Sequence, residues 1–275
     1  MGMEKYLIAV DLDDTFLTSE KHISETSIKY AKKLYKLGSY FVINTGRPFQ
    51  GADGYLRELG INIPIIATNG GAIVFFKEDL YTVDKIITFE MDNKIWHELF
   101  ERTLPILYSV TATSVYNHYS TDYSKVPTWV VHHDPRVKFN EGLEKVRNGS
   151  AFIDSEFYVL KKNADEFEKI INEYKDYLKY IRWTGDPLYD SFEVSSLKAD
   201  KGQAMLELAK ILGIKEENTF GFGDQLNDLP LIKAAHYGVA MNNGVDKVKE
   251  EASYISDYDH NNDGVIKFVQ KITQL

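Results

Sequence analysis

Four short apolar runs, each closing on polar residues, constrain this chain more than any other feature. Residues 6–10 end at Asp11, residues 40–43 at Asn44-Thr45, residues 64–67 at Thr68-Asn69, and residues 219–222 at Gly223-Asp224. Runs of this length, apolar on both faces, suit buried parallel strands. Helical patterns lie between them. Ser24 is placed to cap a helix with Ile28, Ala31, Leu34 and Tyr35 on its apolar stripe, and Gly38 stops it. Pro48 suits the first turn of a helix running towards Gly60. Asp200 precedes a helix with Met205, Leu208, Ala209 and Leu212 on one face; residues 226–235 form another, and the last begins near Asp263. Strands alternating with helices predict an α/β fold, a parallel sheet with helices on both faces. Residues 73–76 and 80–83 predict a hairpin.

The alternation breaks between residues 84 and 190. That stretch is rich in Tyr, Trp and β-branched residues, with helical patterns at 92–102 and 164–177. It reads as an inserted α/β domain, leaving residues 1–83 and 191–275 for the core. A chain of 275 residues is long enough for both.

A net charge of -9 argues against nonspecific nucleic-acid binding. It leaves small phosphates open, because a buried site can be locally positive. The absence of cysteine excludes disulfides, thiolate catalysis and zinc–cysteine sites. No stretch is apolar over a bilayer's thickness. The opening Met1-Gly2-Met3-Glu4-Lys5 is no signal peptide, and Tyr6 stands where a myristoylation motif needs Ser or Thr. A cytoplasmic protein without a membrane partner is expected.

Ligands of open parallel sheets bind beyond the carboxyl ends of the strands. Asp11, Thr45, Asn69 and Asp224 all fall there. Phosphoryl transfer needs a nucleophile, an acid for the leaving oxygen, and cations. In Asp11-Leu12-Asp13-Asp14-Thr15, Asp11 suits attack on phosphorus. Asp13 suits protonation of the leaving oxygen and then activation of water. A polar turn is the plainer alternative. Thr45-Gly46-Arg47-Pro48 offers a hydroxyl and amides to a phosphate oxygen, or Thr45 merely caps a helix. Arg47 binds phosphate or pairs with a structural carboxylate. Lys201 beside Asp11 would hold the nucleophile ionised; as a surface residue it would be disfavoured at a helix start. Lys198 competes for the role. In Gly223-Asp224-Gln225-Leu226-Asn227-Asp228, Asp224 suits magnesium together with Asp11 and a backbone carbonyl such as that of Asp13. Asp228 would act through water, and Asn227 would orient it or touch phosphate. The alternative is an acidic helix cap.

Together Asp11-Leu12-Asp13-Asp14-Thr15-Phe16-Leu17, Asn44-Thr45-Gly46-Arg47-Pro48, Thr68-Asn69-Gly70-Gly71-Ala72, Lys201-Gly202 and the Gly223–Asp228 segment resemble the haloacid dehalogenase superfamily. The resemblance is to its Cof-type phosphatases, which carry a large α/β cap of the C2 type after the third core strand. It covers nearly the whole chain and rests on the order and spacing of the motifs. It implies a Rossmann-like parallel-sheet core with a cap that closes over it. Asp11 would be the nucleophile and Asp13 the acid/base. Thr45 and Lys201 would bind the phosphoryl group, and Asp11, Asp13 and Asp224 the Mg2+. Asn69 would lie at the mouth. Asp14 stands where many relatives have glycine and Phe16 where leucine is commoner; neither replaces a catalytic carboxylate.

The expected activity is hydrolysis of a small phosphorylated metabolite, a sugar phosphate or phosphorylated cofactor. A sugar-phosphate mutase would use the same phospho-aspartate. A noncatalytic phospho-ligand binder or signalling receiver would share Asp, Thr and Lys, yet needs neither Asp13 nor a large insertion.

Other motifs carry less. Asp259-His260-Asn261-Asn262-Asp263-Gly264 matches half a calcium loop, but Gln270 occupies the place of its bidentate Glu, so a turn before a helix is expected. Asn148-Gly149-Ser150 reads as a hairpin turn, and His132-His133-Asp134 as polar residues after a strand. Trp96, Tyr116, Tyr119, Tyr123, Trp129 and Trp183 are expected mostly to pack the inserted domain.

Overall fold

The computed structural model describes residues 4–127 and 134–275. It forms two compact units. One runs to Ile87 and resumes at Asp200; the other spans Thr88–Ala199. The first begins with β1 (Leu7–Val10), α1 (Glu25–Lys36), β2 (Tyr40–Asn44), α2 (Asp53–Leu59), β3 (Ile65–Ala67), β4 (Ala72–Phe76) and β5 (Val83–Thr88). The inserted unit holds α3 (Asn93–Thr103), β6 (Leu107–Thr113), β7 (Asn117–Ser120), β8 (Lys138–Glu141), α4 (Leu143–Arg147), β9 (Asp154–Leu160), α5 (Ala164–Asn172), β10 (Leu178–Trp183) and β11 (Tyr189–Ser196). The first unit then continues through α6 (Lys201–Leu212), β12 (Thr219–Gly223), α7 (Leu229–Ala234), β13 (Tyr237–Ala240), α8 (Asp246–Glu251), β14 (Tyr254–Ile255) and α9 (Gly264–Thr273).

The first unit's sheet has the order β14-β13-β12-β1-β2-β3-β4-β5. The strands from β14 to β3 pair in parallel, and β4 turns antiparallel to β3. The sequence unfolds away from β1 in one direction and away from β12 in the other, so the winding reverses between these two strands. Val10 lies level with both Ile43 and Phe222. The residues just beyond β1, β2 and β12 therefore emerge on one sheet edge. That register, rather than any local motif, gathers Asp11, Thr45 and Asp224. All of β1 is fully buried, as a strand covered on both faces requires. α1 packs beside α2 and α9, and α6 against α7.

Several local expectations shift. The buried face of α1 is Ser27, Tyr30, Ala31 and Leu34, so Ala31 and Leu34 lie where expected while Ile28 and Tyr35 are half-buried at its edge. Ser27 turns inward because its hydroxyl donates to the Asp263 carboxylate, 3.2 Å away. A single 3-10 turn, Phe49–Gly51, precedes α2. The hairpin's second strand starts at Val83 because Asp79 ties up the amides of Tyr81 and Thr82 in the loop. The sequence boundaries at 84 and 190 fall inside strands. β5 belongs to the first sheet through β4, and β11 to the second, between β10 and β9.

The inserted unit's sheet runs β10-β11-β9-β6-β7-β8. One face packs Val110, Phe157, Val159, Phe192 and Val194 against Trp96 and Phe100 of α3 and Phe167 of α5. Trp96 is core, as expected, whereas Tyr116 and Trp183 are exposed at the sheet's ends. Trp129, His132 and His133 lie outside the described residues; Asp134 pairs with Arg136 at 2.6 Å. The calcium-like segment is a 3-10 turn, His260–Asn262, leading into α9. The carboxylate of Asp263 there accepts the hydroxyls of Ser24 and Ser27. Among the described residues, no helix is long and apolar enough to cross a membrane.

Candidate active site

Asp11 follows β1 directly, and its amide still donates to Phe222 O on the neighbouring strand, at 3.1 Å. The carboxylate is thus fixed by the sheet itself. Lys201 opens α6, where the Asp200 side chain caps the helix by accepting the amides of Gly202 and Gln203. The Lys201 side chain is 0% exposed. Its ammonium donates to Asp11 Oδ1 at 2.7 Å and to Asp228 Oδ1 at 2.6 Å. Lys198, the competitor, is exposed.

Asp228 Oδ2 accepts the amides of Asp224 and Gln225, each at 3.0 Å. Gly223 permits this closeness, since a Cβ there would lie 2.2 Å from the Cβ of Asp228. Asp228 therefore holds both Lys201 and the turn after β12. Asp224 receives the Thr15 hydroxyl at 2.9 Å.

One ammonium faces the carboxylates of Asp11, Asp224 and Asp228. Burial, together with the neighbouring acids, outweighs Lys201 and pushes the Asp11 carboxyl up to about 7. Burial and Asp228 push Asp224 up to about 6. Burial alone would lower Lys201, but Asp11 and Asp228 hold its ammonium above its ordinary range. The cluster holds more negative charge than its lysine balances. One carboxylate oxygen from each acid lies within 4.8 Å of the other two. An all-oxygen donor set with surplus negative charge fits a hard divalent cation such as magnesium.

Asp13 points its carboxylate elsewhere. Arg47 grips it with both arms of its fork, Nε to Oδ2 at 2.8 Å and Nη2 to Oδ1 at 2.7 Å. Lys21 adds a third bond at 2.9 Å. Half-burial disfavours the charge on Asp13, but these two cations hold its carboxyl below the ordinary range. Of the two readings for Arg47, the structure shows a carboxylate partner, and that partner is the candidate acid/base.

Thr45 is buried, and its hydroxyl accepts the Arg47 amide at 3.2 Å in a local turn, while Pro48 and Ala52 stand at the N-caps of the next 3-10 turn and of α2. Asn227 donates to Asn69 Oδ1 at 3.1 Å, and a Cβ on Gly46 would meet that same oxygen at 3.1 Å. Gly46, Asn69 and Asn227 are thus neighbours on the strand-end edge. Sequence reasoning missed Lys21 and Asn44, whose side-chain amide donates to Lys201 O at 2.9 Å, and gave Thr15 no role. Thr15 and Asn44 stood inside recognised segments. Lys21 had no local signal, being in a loop with φ of 61°.

Gly70 has φ of 88°, and a Cβ there would sit 2.3 Å from the carbonyl carbon of Asp200. The Asn69–Gly70 turn thereby seats the start of α6 and so Lys201. Gly70→Ala is expected to cost roughly 3 kcal/mol, from strain and overpacking together. Urea unfolding measures it, and an unchanged midpoint would mean that this contact does not form.

Residues 8–269 match the model of a family described as haloacid dehalogenase-like hydrolase. A 5-amino-6-(5-phospho-D-ribitylamino)uracil phosphatase of Bacillus subtilis is 24% identical, over 100% of both chains. A phosphoglycolate phosphatase of Methanopyrus kandleri is 26% identical, over 98% of this chain and 97% of its own. Among solved structures, a haloalkanoate-superfamily phosphatase of Bacteroides thetaiotaomicron aligns with a TM-score of 0.76 at 22% identity, covering 99% of this chain and 96% of its own.

Proposed function

From the premise that the chain belongs to the haloacid dehalogenase-like hydrolases and is a phosphoric monoester hydrolase, we propose that Asp11 is its nucleophile and carries the phosphoryl group as an acyl phosphate. The observation that carries this reading is the buried Lys201 ammonium, 2.7 Å from Asp11 at the end of β1. A structural ion pair does not need a second and third carboxylate crowded beside it.

In the first half-reaction, an Asp11 oxygen bonds to phosphorus as the ester oxygen departs with a proton from Asp13. In the second, Asp13 takes a proton from water, the water oxygen attacks phosphorus, and the bond to Asp11 breaks to release inorganic phosphate. Lys201 favours the ionised form of Asp11 against burial and offsets phosphoryl charge. The Thr45 hydroxyl and the amides of Gly46 and Arg47 suit phosphoryl oxygens, with Asn69 and Asn227 at the rim. Asp13 works only once freed from Arg47 and Lys21. An incoming phosphate, itself a guanidinium ligand, competes for Arg47 and so favours that release. Asp11, Asp224 and the Asp13 main-chain carbonyl would hold magnesium, with Asp228 acting through water, and the ion would supply charge neutralisation.

The substrate in this reading is a small phosphorylated metabolite, a sugar phosphate or phosphorylated cofactor; the relative named for a phosphoribitylamino-uracil fits that class. Phosphate release from 4-nitrophenyl phosphate is the test. It is expected with Mg2+ and absent with EDTA, restored by readding the metal. No release from folded protein on aryl or natural phosphates would sink the hydrolytic mechanism. Isomer formation without free phosphate would identify a mutase.

A further inference from the structure

The sheet of the inserted unit has a second face. Phe157, Val159, Phe192 and Val194 point into the core, so by strand alternation Asp154, Glu156 and Tyr158 of β9 and Tyr189, Ser191 and Glu193 of β11 share the opposite face. A cavity of about 450 Å³ lies there, wholly within this unit. Glu156, Tyr158, Trp183, Tyr189 and Ser191 line it. Its size is that of a small-molecule site.

The walls are aromatic. Tyr158 and Tyr189 meet edge to face, with centroids 5.4 Å apart. Trp183 is anchored by its indole N–H, which donates to Glu193 at 3.0 Å and leaves the ring as a wall. The two acidic groups of the lining, Glu156 and Asp186, are both carboxylates that accept. Glu156 is partly exposed, and it accepts the Tyr158 hydroxyl at 3.2 Å. Asp186, also in the lining, spends Oδ1 on the amides of Leu188 and Tyr189. Among the described residues, no lysine or arginine lines the cavity. An anion, phosphate included, would meet carboxylates and no cation among these residues.

Glu156 also lies directly opposite Glu193 across the β9–β11 pair. Like charges facing each other destabilise a sheet. Burial pushes the Glu156 carboxyl up to about 7. A carboxylate kept under such pressure gains from a ligand that brings N–H donors into the pocket. Three flat rings, those of Tyr158, Tyr189 and Trp183, give a planar ligand more stacking surface than a sugar ring could use.

We propose that this cavity is a binding site for a planar nitrogen heterocycle, uncharged or cationic, whose N–H donors meet Glu156 while its ring packs on Tyr158, Tyr189 and Trp183. This site stands independently of the chemistry assigned to Asp11. The heterocycle comes either as the organic part of the phosphorylated substrate or as a separate phosphate-free effector.

Ligand-observed NMR on the full chain tests it with phosphate-free probes: 5,6-diaminouracil, its anionic counterpart orotate, and methyl glucoside. Saturable millimolar binding of diaminouracil is expected, with orotate and the glucoside at least about tenfold weaker. Glu156→Gln should weaken diaminouracil roughly tenfold, the loss of one charge-assisted hydrogen bond. Tyr189→Leu should weaken it separately, which guards against a folding defect in either variant; thermal melts check both. Asp11→Asn should leave binding unchanged, so failure of the phosphatase mechanism and failure of this site are distinguishable. Diaminouracil inhibiting phosphate release competitively marks the substrate's own moiety; noncompetitive inhibition or activation marks an effector. Equal binding of orotate, preference for the glucoside, no saturable binding of diaminouracil, or indifference to both substitutions would overturn the proposal.

Discussion

Asp11→Asn releases phosphate at least about four orders of magnitude more slowly than the native chain, the scale on which removing a nucleophile acts. The amide oxygen can still accept from Lys201, so the pocket keeps its shape, but no acyl phosphate can form. Were Asp11 only a metal ligand, the loss would be smaller and excess Mg2+ would recover much of it. A quench experiment separates the cases, since only the native chain should trap a phosphoryl group on protein. The same variant has a stability signature. The folded-state Asp11 carboxyl sits at about 7, above its ordinary value of 3.8. Its contribution is therefore fully present below pH 3.8 and is lost as pH rises through about 7. Native protein stripped of metal should lose stability across that window. The asparagine variant should lose less and melt higher than native protein near neutral pH in EDTA. A variant that still turns over at native rates would falsify the role assigned to Asp11.

The site was legible in the sequence because the sheet is parallel and buried on both faces. Such strands announce themselves as apolar runs, and the polar residue ending each run marks the ligand-binding edge. Asp11, Thr45, Asn69 and Asp224 were readable on that ground, and the register of Val10 with Ile43 and Phe222 brings their strand ends together. Partnerships were less legible. Nothing local to Arg47 or Lys21 says that both close on Asp13, because that depends on how two loops fold against each other. Asp228 was readable as a group acting on a metal through water, but not its three hydrogen bonds, which support Lys201 and the turn after β12. Domain edges slipped for a similar reason: the sheet to which β5 or β11 belongs is decided by partners distant in sequence. In the inserted unit, alternation along β9 shows which residues leave the core. It does not say that Glu156 and Tyr158 line a cavity with Trp183.

Lys201→Met is expected to be the most destabilising single change to this edge. Methionine preserves much of the stem's bulk, so the effect isolates the charge. Asp228 would keep its two amide partners, but Asp11 would lose the ammonium now 2.7 Å away. Removing one member of a buried charge cluster typically costs about 3–5 kcal/mol. Activity should fall on the order of 10³-fold, because phosphoryl charge and nucleophile ionisation both lose their counter-ion. The sign of the pH dependence identifies the cause. Without Lys201, the Asp11 carboxyl moves further above its already raised value, so ionising it in the fold is costlier. Near pH 5 the Asp11 carboxyl is largely protonated in the variant, and the gap to native protein should shrink. Near pH 7.5 it should be widest, and Mg2+ should narrow it by replacing part of the missing charge. Urea unfolding at both pH values, with Mg2+ and with EDTA, reads all four conditions. A pH-independent penalty of the same size would point to lost packing around the stem, and would remove the electrostatic reason for burying a lysine here.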